Sequence, residues 1–459
     1  MSTRDMIRIA SGQGFWGDDL EAPVRQVEGG PVDYLVLDYL AEVTMSIMQK
    51  QRARDPSAGY ARDFVTLMRR IFPLCAERGV RVVTNAGGVN PGGCADALVE
   101  AARDAGLEGK ARIGLVTGDD LLDRLEALLD EGHGLAHMET GEPLHTVLDR
   151  VASANVYIGA EPIVRALEGG ADVVVTGRST DTALTYGPMI HEFGWDDGEL
   201  DRIAAGVVAG HINECGAQST GGNCLHEWWN IPDMAQVGFP IIESLPDGEF
   251  VVTKHPGSGG RVTRATVTEQ IVYEMGNPSE YITPDVIADF TSIDLVDEGN
   301  DRVRVRGIKG DRRTPFLKVS IAYTDGWKAV GTLVYTWPDA VAKARAADRI
   351  LRERLDRLGL RFDEIRTELV GWDSTHGHLA GPPPPDLPEV QLRVAVRGQD
   401  RAAVERFTRE IAPLVLTGPP SVTGFAGGRP RVQEIMAYWP ALIRREVVEP
   451  HLAVEIREV

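Results

Sequence analysis

Cysteine is scarce in this chain. The four residues Cys75, Cys94, Cys215 and Cys224 form no CxxC pair among 459 positions. Neither a zinc ribbon nor a thioredoxin-type site is supported, and the chain is too long for four cysteines to frame it with disulfides. That usage suits a reducing compartment. The opening residues, MSTRDMIRIASGQGFWGDD, lack the apolar core of a secretory signal, and no run of about 18 apolar residues offers a membrane span. A cytoplasmic location is therefore expected. Basic residues are also in deficit, with 48 Lys and Arg against 68 Asp and Glu. This balance argues against a nucleic-acid-coating surface, while a local arginine cluster could still hold an anionic substrate. Internal repeats and low-complexity tracts are absent. What remains is an ordinary globular composition, 43% apolar and 25% charged, long enough for two or three domains.

The first half alternates short apolar runs with amphipathic stretches. Strands are predicted at 7–11, 34–37, 80–84, 113–116, 156–159 and 173–176, with helical patterns such as 91–105, 119–129 and 199–208 between them. This pattern predicts an α/β fold whose N-terminal part is a largely parallel, doubly wound sheet. A closed barrel is the alternative, because it uses the same strand–helix unit; the irregular spacing favours the open sheet. Beyond residue 232 proline, glycine and β-branched runs become frequent. An α+β domain is expected over 233–459, after an α/β domain over 1–232. It should contain strands at 250–253, 303–305, 317–322, 329–335 and 390–396, helices at 340–357 and 401–412, a stiff proline loop at 381–388, and a helix from about Val432.

The polar chemistry gathers in glycine-rich loops. Segment 210–223, GHINECGAQSTGGN, packs His211, Asn213, Glu214, Cys215 and Gln218 among four glycines. His211 and Glu214, three apart, share a face on a helix and read as acid/base machinery. Two metal ligands are the lesser alternative, since the spacing is neither HExxH nor CxxC-like. Cys215 is a candidate nucleophile only if its thiol is acidified; a lone cysteine is more often buried and inert. The loops 84–91 and 176–181 follow predicted strands, so their residues should converge beyond the strand ends. Asn85 and Asn90 could hold a substrate carbonyl or make Asx-turns. Arg178 could hold an anionic group, or pair with Asp181 to fix its loop. Gln218 completes the expected pocket.

Four weaker patterns remain. Gly12, Gly14 and Gly17 satisfy GxGxxG after the first strand, but Asp38 is a loose fit for the ribose acid and Phe15 with Trp16 would crowd a pyrophosphate. A dinucleotide is accordingly less expected than a coenzyme A thioester. Gly427, Gly428, Arg429 and Arg431 before the expected helix could clamp a phosphate, or form a solvated turn. Lys254-His255-Pro256 heads another glycine-rich loop, and His376 with His378 could face one metal or sit in a polar loop.

The segments SGQGFWGDD, DYLVLDYLAE, TNAGGVNP, GADVVVTGRSTDTAL, GHINECGAQSTGGN, GFPIIE, EQIVYEMGNPSEYITPDVIADF and VTGFAGGRPRVQE, in this order, resemble the acyclic terpene utilisation protein A (AtuA) family. The resemblance covers almost the whole chain. It implies a place in the breakdown of citronellol and geraniol, or of leucine- or isovalerate-like acyl-CoA compounds, without fixing a reaction. Members usually carry a shorter partner domain, fused or separate, which the expected end of this chain does not include. Two readings follow. One is a lyase or hydro-lyase acting on a branched acyl-CoA or small carboxylic acid, with His211, Glu214 and Asn85 as base, acid and oxyanion holder. The other is a non-catalytic ligand-binding or scaffold subunit of an acyl-CoA-processing assembly. A homo-oligomer is expected in either case, with Trp228 and Trp229 serving as core or interface.

Overall fold

In the computed structural model, residues 4–424 and 428–459 are described. By contacts the chain divides into two compact units, Met1–Ala322 with Tyr438–Val459, and Tyr323–Ala437. The change of texture at 232–233 therefore falls inside the first unit.

The first unit is built on a ten-stranded sheet whose middle is parallel. Strands Ile7–Gln13, Tyr34–Leu37, Arg81–Thr84, Val173–Val175 and Arg112–Thr117 lie in that order and run the same way. Every side chain of Tyr34–Leu37 and of Val173–Val175 is buried, as a strand covered on both faces requires. The path advances through the first three strands, skips one place, and then returns from Arg112–Thr117 to Val173–Val175. Right-handed crossovers place the helices of the advance and of the return on opposite faces. Accordingly Ala22–Glu28, Arg62–Arg78 and Pro91–Asp104 pack together in one layer, and Glu161–Glu168, Ala183–Phe193 and Leu200–Glu214 in the other. This is the doubly wound arrangement expected from the alternation. Antiparallel strands close both sides: Ile241–Ser244, Phe250–Thr253, Val303–Arg306 and Asp294–Asp297 on one, Ala453–Glu458 on the other.

The second unit is an antiparallel sheet of Glu364–Val370, Glu389–Gly398, the later part of Phe316–Thr336, and Val422–Thr423. Helices Ala340–Arg357 and Arg401–Thr408 cover it, burying Ala344, Leu351, Leu355 and Phe407 against Leu333, Leu392 and Val394.

Four local expectations are corrected. The helix expected from Val432 is the strand Gln433–Arg444, which pairs with Phe316–Thr336; its partner lies over a hundred residues away and outweighs local propensity. The strand expected at 156–159 is Val151–Val156, and it too pairs with Phe316–Thr336 instead of joining the parallel sheet. The helix expected at 119–129 is a 3-10 turn, Leu122–Arg124, followed by Leu125–Asp130. The helix expected at 199–208 continues to Glu214, carrying His211 and Glu214 within it.

That helix approaches the strand-end loops closely. A Cβ at Gly210 would lie 2.6 Å from the Thr182 carbonyl oxygen and 2.7 Å from its Cα. At the helix end, a Cβ at Gly14 would lie 2.8 Å from the Gly216 nitrogen. G210A gains about 1 kcal/mol of helix propensity but overpacks against backbone, which typically costs 1–3 kcal/mol or more, so we expect a lower urea midpoint. G92A, near a helix start with nothing within 4 Å, should not lower it. An unchanged midpoint in G210A would contradict this packing.

Candidate active site at the carboxyl edge of the parallel strands

The loops after the parallel strands meet around one buried arginine. Arg178 is 1% exposed. Its peptide N–H donates to Asp119 Oδ2 at 2.8 Å, Nη2 donates to Asp181 Oδ1 at 2.6 Å, and Nη1 donates to the Leu40 carbonyl. The guanidinium also lies 4.2 Å from the centre of the Tyr157 ring. Such stacking and charge-assisted bonding are what an arginine needs when it leaves water. The loop-fixing pair with Asp181, weighed from the sequence, is formed.

Two further carboxyls sit behind it. Asp119 accepts a second bond, from Asn155 Nδ2 at 2.9 Å, and burial pushes its pKa up to about 7. Asp38 accepts from Asn85 Nδ2 at 2.7 Å and from the Leu40 N–H at 3.1 Å. Burial raises its pKa to about 6, against the pull of Arg178. Asn85 takes the Tyr39 N–H on its oxygen at 2.7 Å, so both ends of its amide are engaged. Asp38, the loose ribose acid of the glycine fingerprint, thus faces inward to Asn85.

The helix Leu200–Glu214 brings the acid/base pair to the same cluster. His211 Nδ1 and Glu214 Oε1 are 3.1 Å apart, one helical turn from each other. His211 is 2% exposed, with the Tyr281 and Phe290 rings each centred 5.5 Å from its own. Burial lowers its pKa, but the bond and charge of Glu214 outweigh this and the net shift is upward. Glu214 is also shifted up, by burial first, with His211 opposing and Asp181 adding to the rise. Within the pair, His211 Nε2 and Glu214 Oε2 are buried without a hydrogen-bond partner, and so is Arg178 Nε beside them. The mutual influence of Asp38, Asp181 and Glu214 joins the helix end to the strand-end loops.

The cluster reaches solvent on the Asp181 side. Asp181 keeps 32% of its side chain exposed, although burial of the site holds its pKa well above the usual carboxylate range. Next to Arg178, the Tyr157 hydroxyl donates to Glu42 Oε1 at 2.6 Å, and Lys318 Nζ lies 3.6 Å from the same oxygen.

The other expected residues fall as follows. Cys215 is half-buried at the helix end, and burial with the Glu214 charge pushes its thiol up to about 12, the reverse of an activated nucleophile. Gln218 Nε2 donates to Gln270 Oε1 at 2.8 Å, and Gln270 Nε2 donates to the His211 carbonyl at 2.7 Å. Asn90 caps the helix Pro91–Asp104, accepting from Gly93 N at 3.0 Å and donating to the Ala58 carbonyl at 2.9 Å, as an Asx cap does. Arg429 and Arg431 are exposed and belong to the second unit; Gly427 lies outside the described residues. His255 Nε2 donates to the Gln26 carbonyl at 2.9 Å in a separate cavity. His376 and His378 are exposed in the second unit. No group of three or more metal-ligating side chains occurs among the described residues.

Sequence reasoning missed Asp119, Tyr157, Gln270 and Tyr281. Asp119 reads as a helix-start acid, yet it holds the Arg178 peptide. The available signal was its place directly after a predicted strand, in VTGDD. Tyr281 lies seventy residues from His211 and carries no local mark.

A family model described as acyclic terpene utilisation family protein AtuA matches residues 7–454. Neither the curated proteins nor the solved structures gave a match.

The raised pKa of Asp119 has a consequence for stability. Between its ordinary value of 3.8 and about 7, the folded chain holds a proton that the unfolded chain has lost. Its contribution is therefore full below 3.8 and is lost as pH rises toward 7. In D119N this term is absent. Urea unfolding across that range should show stability falling less steeply than in the parent, by up to about 1.4 kcal/mol per pH unit. Parallel slopes would refute a buried, proton-holding Asp119.

Proposed function

Since this chain belongs to the acyclic terpene utilisation family AtuA, we propose that it is a catabolic lyase or hydro-lyase acting on a branched acyl-CoA or small carboxylic acid. The family places the protein in acyclic terpene utilisation; the reaction is our reading. The observation that carries it is the pair of unpartnered buried atoms, His211 Nε2 and Glu214 Oε2, beside carboxyls whose pKa burial raises. Unsatisfied polar atoms in a buried site are costly, and they collect where a substrate supplies the partner.

Removal of water from a β-hydroxy acyl compound needs a base for the proton next to the carbonyl and an acid for the departing hydroxyl. In this reading His211 Nε2 takes the proton, the C–O bond breaks, and a protonated carboxyl, Asp181 or Glu214, protonates the leaving oxygen as water. Hydration runs the same steps backwards. Arg178 acts by fixing Asp181, and Asn85 by fixing Asp38. A coenzyme A thioester is the expected substrate form, and no dinucleotide is invoked. The engagement of Asn85 and Arg178 within the protein also favours the second reading, a non-catalytic ligand-binding or scaffold subunit, possession of a separate small partner subunit included.

Turnover of a branched enoyl-CoA, followed by loss of the conjugated thioester absorbance, separates the two. E214Q keeps the shape and removes the carboxylate; the rate should fall about 100-fold or more with the unfolding midpoint little changed. Near-normal turnover in E214Q would overturn the assignment.

We further propose a homo-oligomer. Trp228 and Trp229 are 54% and 66% exposed, together with Leu225 and Met234, an apolar group suited to an interface. Light scattering at micromolar concentration should give a multiple of the chain mass, and a monomer mass would contradict it. No helix among the described residues is long and apolar enough to cross a membrane.

A further inference from the structure

The charges gathered around Arg178 do not balance. Five carboxyls meet there, those of Asp38, Glu42, Asp119, Asp181 and Glu214, and the Glu274 charge acts on Glu214 as well. Three basic groups answer them, and each is already matched to one carboxyl. Arg178 pairs with Asp181 at 2.6 Å, His211 lies 3.1 Å from Glu214, and Lys318 lies 3.6 Å from Glu42. Asp38 and Asp119 are held instead by amide and peptide N–H groups, from Asn85 and Leu40 and from Asn155 and Arg178. Among the described residues neither has an ion-pair partner. Tyr157, Tyr281 and Cys215 border the same cluster, but burial raises the pKa of each, so they add no charge.

This is the reverse of an anion site. An incoming carboxylate gives up its water among carboxyls whose cations are taken, and like charges brought together in that way are costly. One route stays open to it. Either the ligand enters as the neutral acid or a resident carboxyl takes up a proton on binding. In both cases a proton is bound with the ligand, so the affinity falls as pH rises. An uncharged carbonyl meets no such cost. Arg178 Nε is buried without a partner while the guanidinium charge is matched by Asp181, which leaves a donor suited to a neutral oxygen.

Asp181 and Glu42 are the most exposed of the five, with 32% and 43% of their side chains open to solvent. A ligand entering from solvent meets them first.

We propose that the site admits an acyl group only in uncharged form, as a thioester or another neutral carbonyl compound, and that Asp181 and Glu42 exclude the free carboxylate. This narrows the substrate of the reading given above and rests on that reading for the place of binding.

Saturation-transfer NMR titrations of the full chain with 3-methylbutanoate and with its uncharged isostere 4-methylpentan-2-one test this. The two probes share shape and differ by one charge. At about pH 8 the ketone should bind saturably and the carboxylate about 10-fold or more weakly, and the gap should narrow toward about pH 6 by up to about 10-fold per unit. D181N and E42Q should each narrow the gap at the higher pH several-fold. Should D181N fail to fold beside the buried Arg178, E42Q decides, since it sits at an exposed position and keeps an oxygen for the Tyr157 hydroxyl. E458Q is the control for overall charge. Glu458 pairs with Arg112 at the amino edge of the parallel strands, the far side from this site, so the gap should not change. Carboxylate binding as tight as the ketone's at the higher pH overturns the proposal. So does the absence of ketone binding, a gap that D181N and E42Q leave unchanged, or an equal effect of E458Q. Discrimination between the probes by a chain that turns over no enoyl-CoA would remove the reaction and leave this selectivity standing, and turnover without discrimination would do the opposite.

Discussion

A full positive charge held 1% exposed is the constraint on which the site depends. Arg178 cannot leave water without partners for its N–H groups and its charge. The fold supplies them from separate stretches: a carbonyl at Leu40, a carboxylate at Asp181, the face of Tyr157, and Asp119 for the peptide. Leu40, Asp119 and Asp181 lie beyond the ends of parallel strands, and Tyr157 directly follows Val151–Val156, outside that sheet. The sheet delivers these loops to one edge because its strands run the same way, and the arginine then locks them together.

Around that lock the carboxyls outnumber the cations. Asp38, Asp119, Asp181 and Glu214 are all shifted upward, and burial is the first cause in each. A single guanidinium faces four acids, and burial lifts the two innermost, Asp38 and Asp119, to about 6 and about 7. The same crowding that weakens the native state as pH rises toward neutral raises the pKa of acids in a site that would exchange protons. Stability and chemistry are coupled here through one quantity, the free energy of taking a carboxylate out of water.

The helix Leu200–Glu214 organises more than this cluster. Its last turn aligns His211 with Glu214, and its small residues, Gly206 and Gly210, let it press against Tyr186 and Thr182.

The sequence by itself determined the elements whose cause is local. The all-apolar runs at 34–37 and 173–175 mark strands buried on both faces, the helix at 340–357 is written in its residue pattern, and Pro91 opens the helix that Asn90 caps. It also marked His211 and Glu214, because a spacing of three on a helix brings two side chains together without help from elsewhere. Tertiary structure decided the rest. Residues 433–444 are a strand because a partner strand over a hundred positions away satisfies their backbone. Asn85 turns to Tyr39 and Asp38, and Asp119 to the Arg178 peptide, because burial leaves those groups to one another. The rings that enclose His211 arrive from 281 and 290. Periodicity records what neighbours along the chain do, whereas burial and the choice of hydrogen-bond partner are set by residues distant in sequence, and these decide how a polar side chain is used.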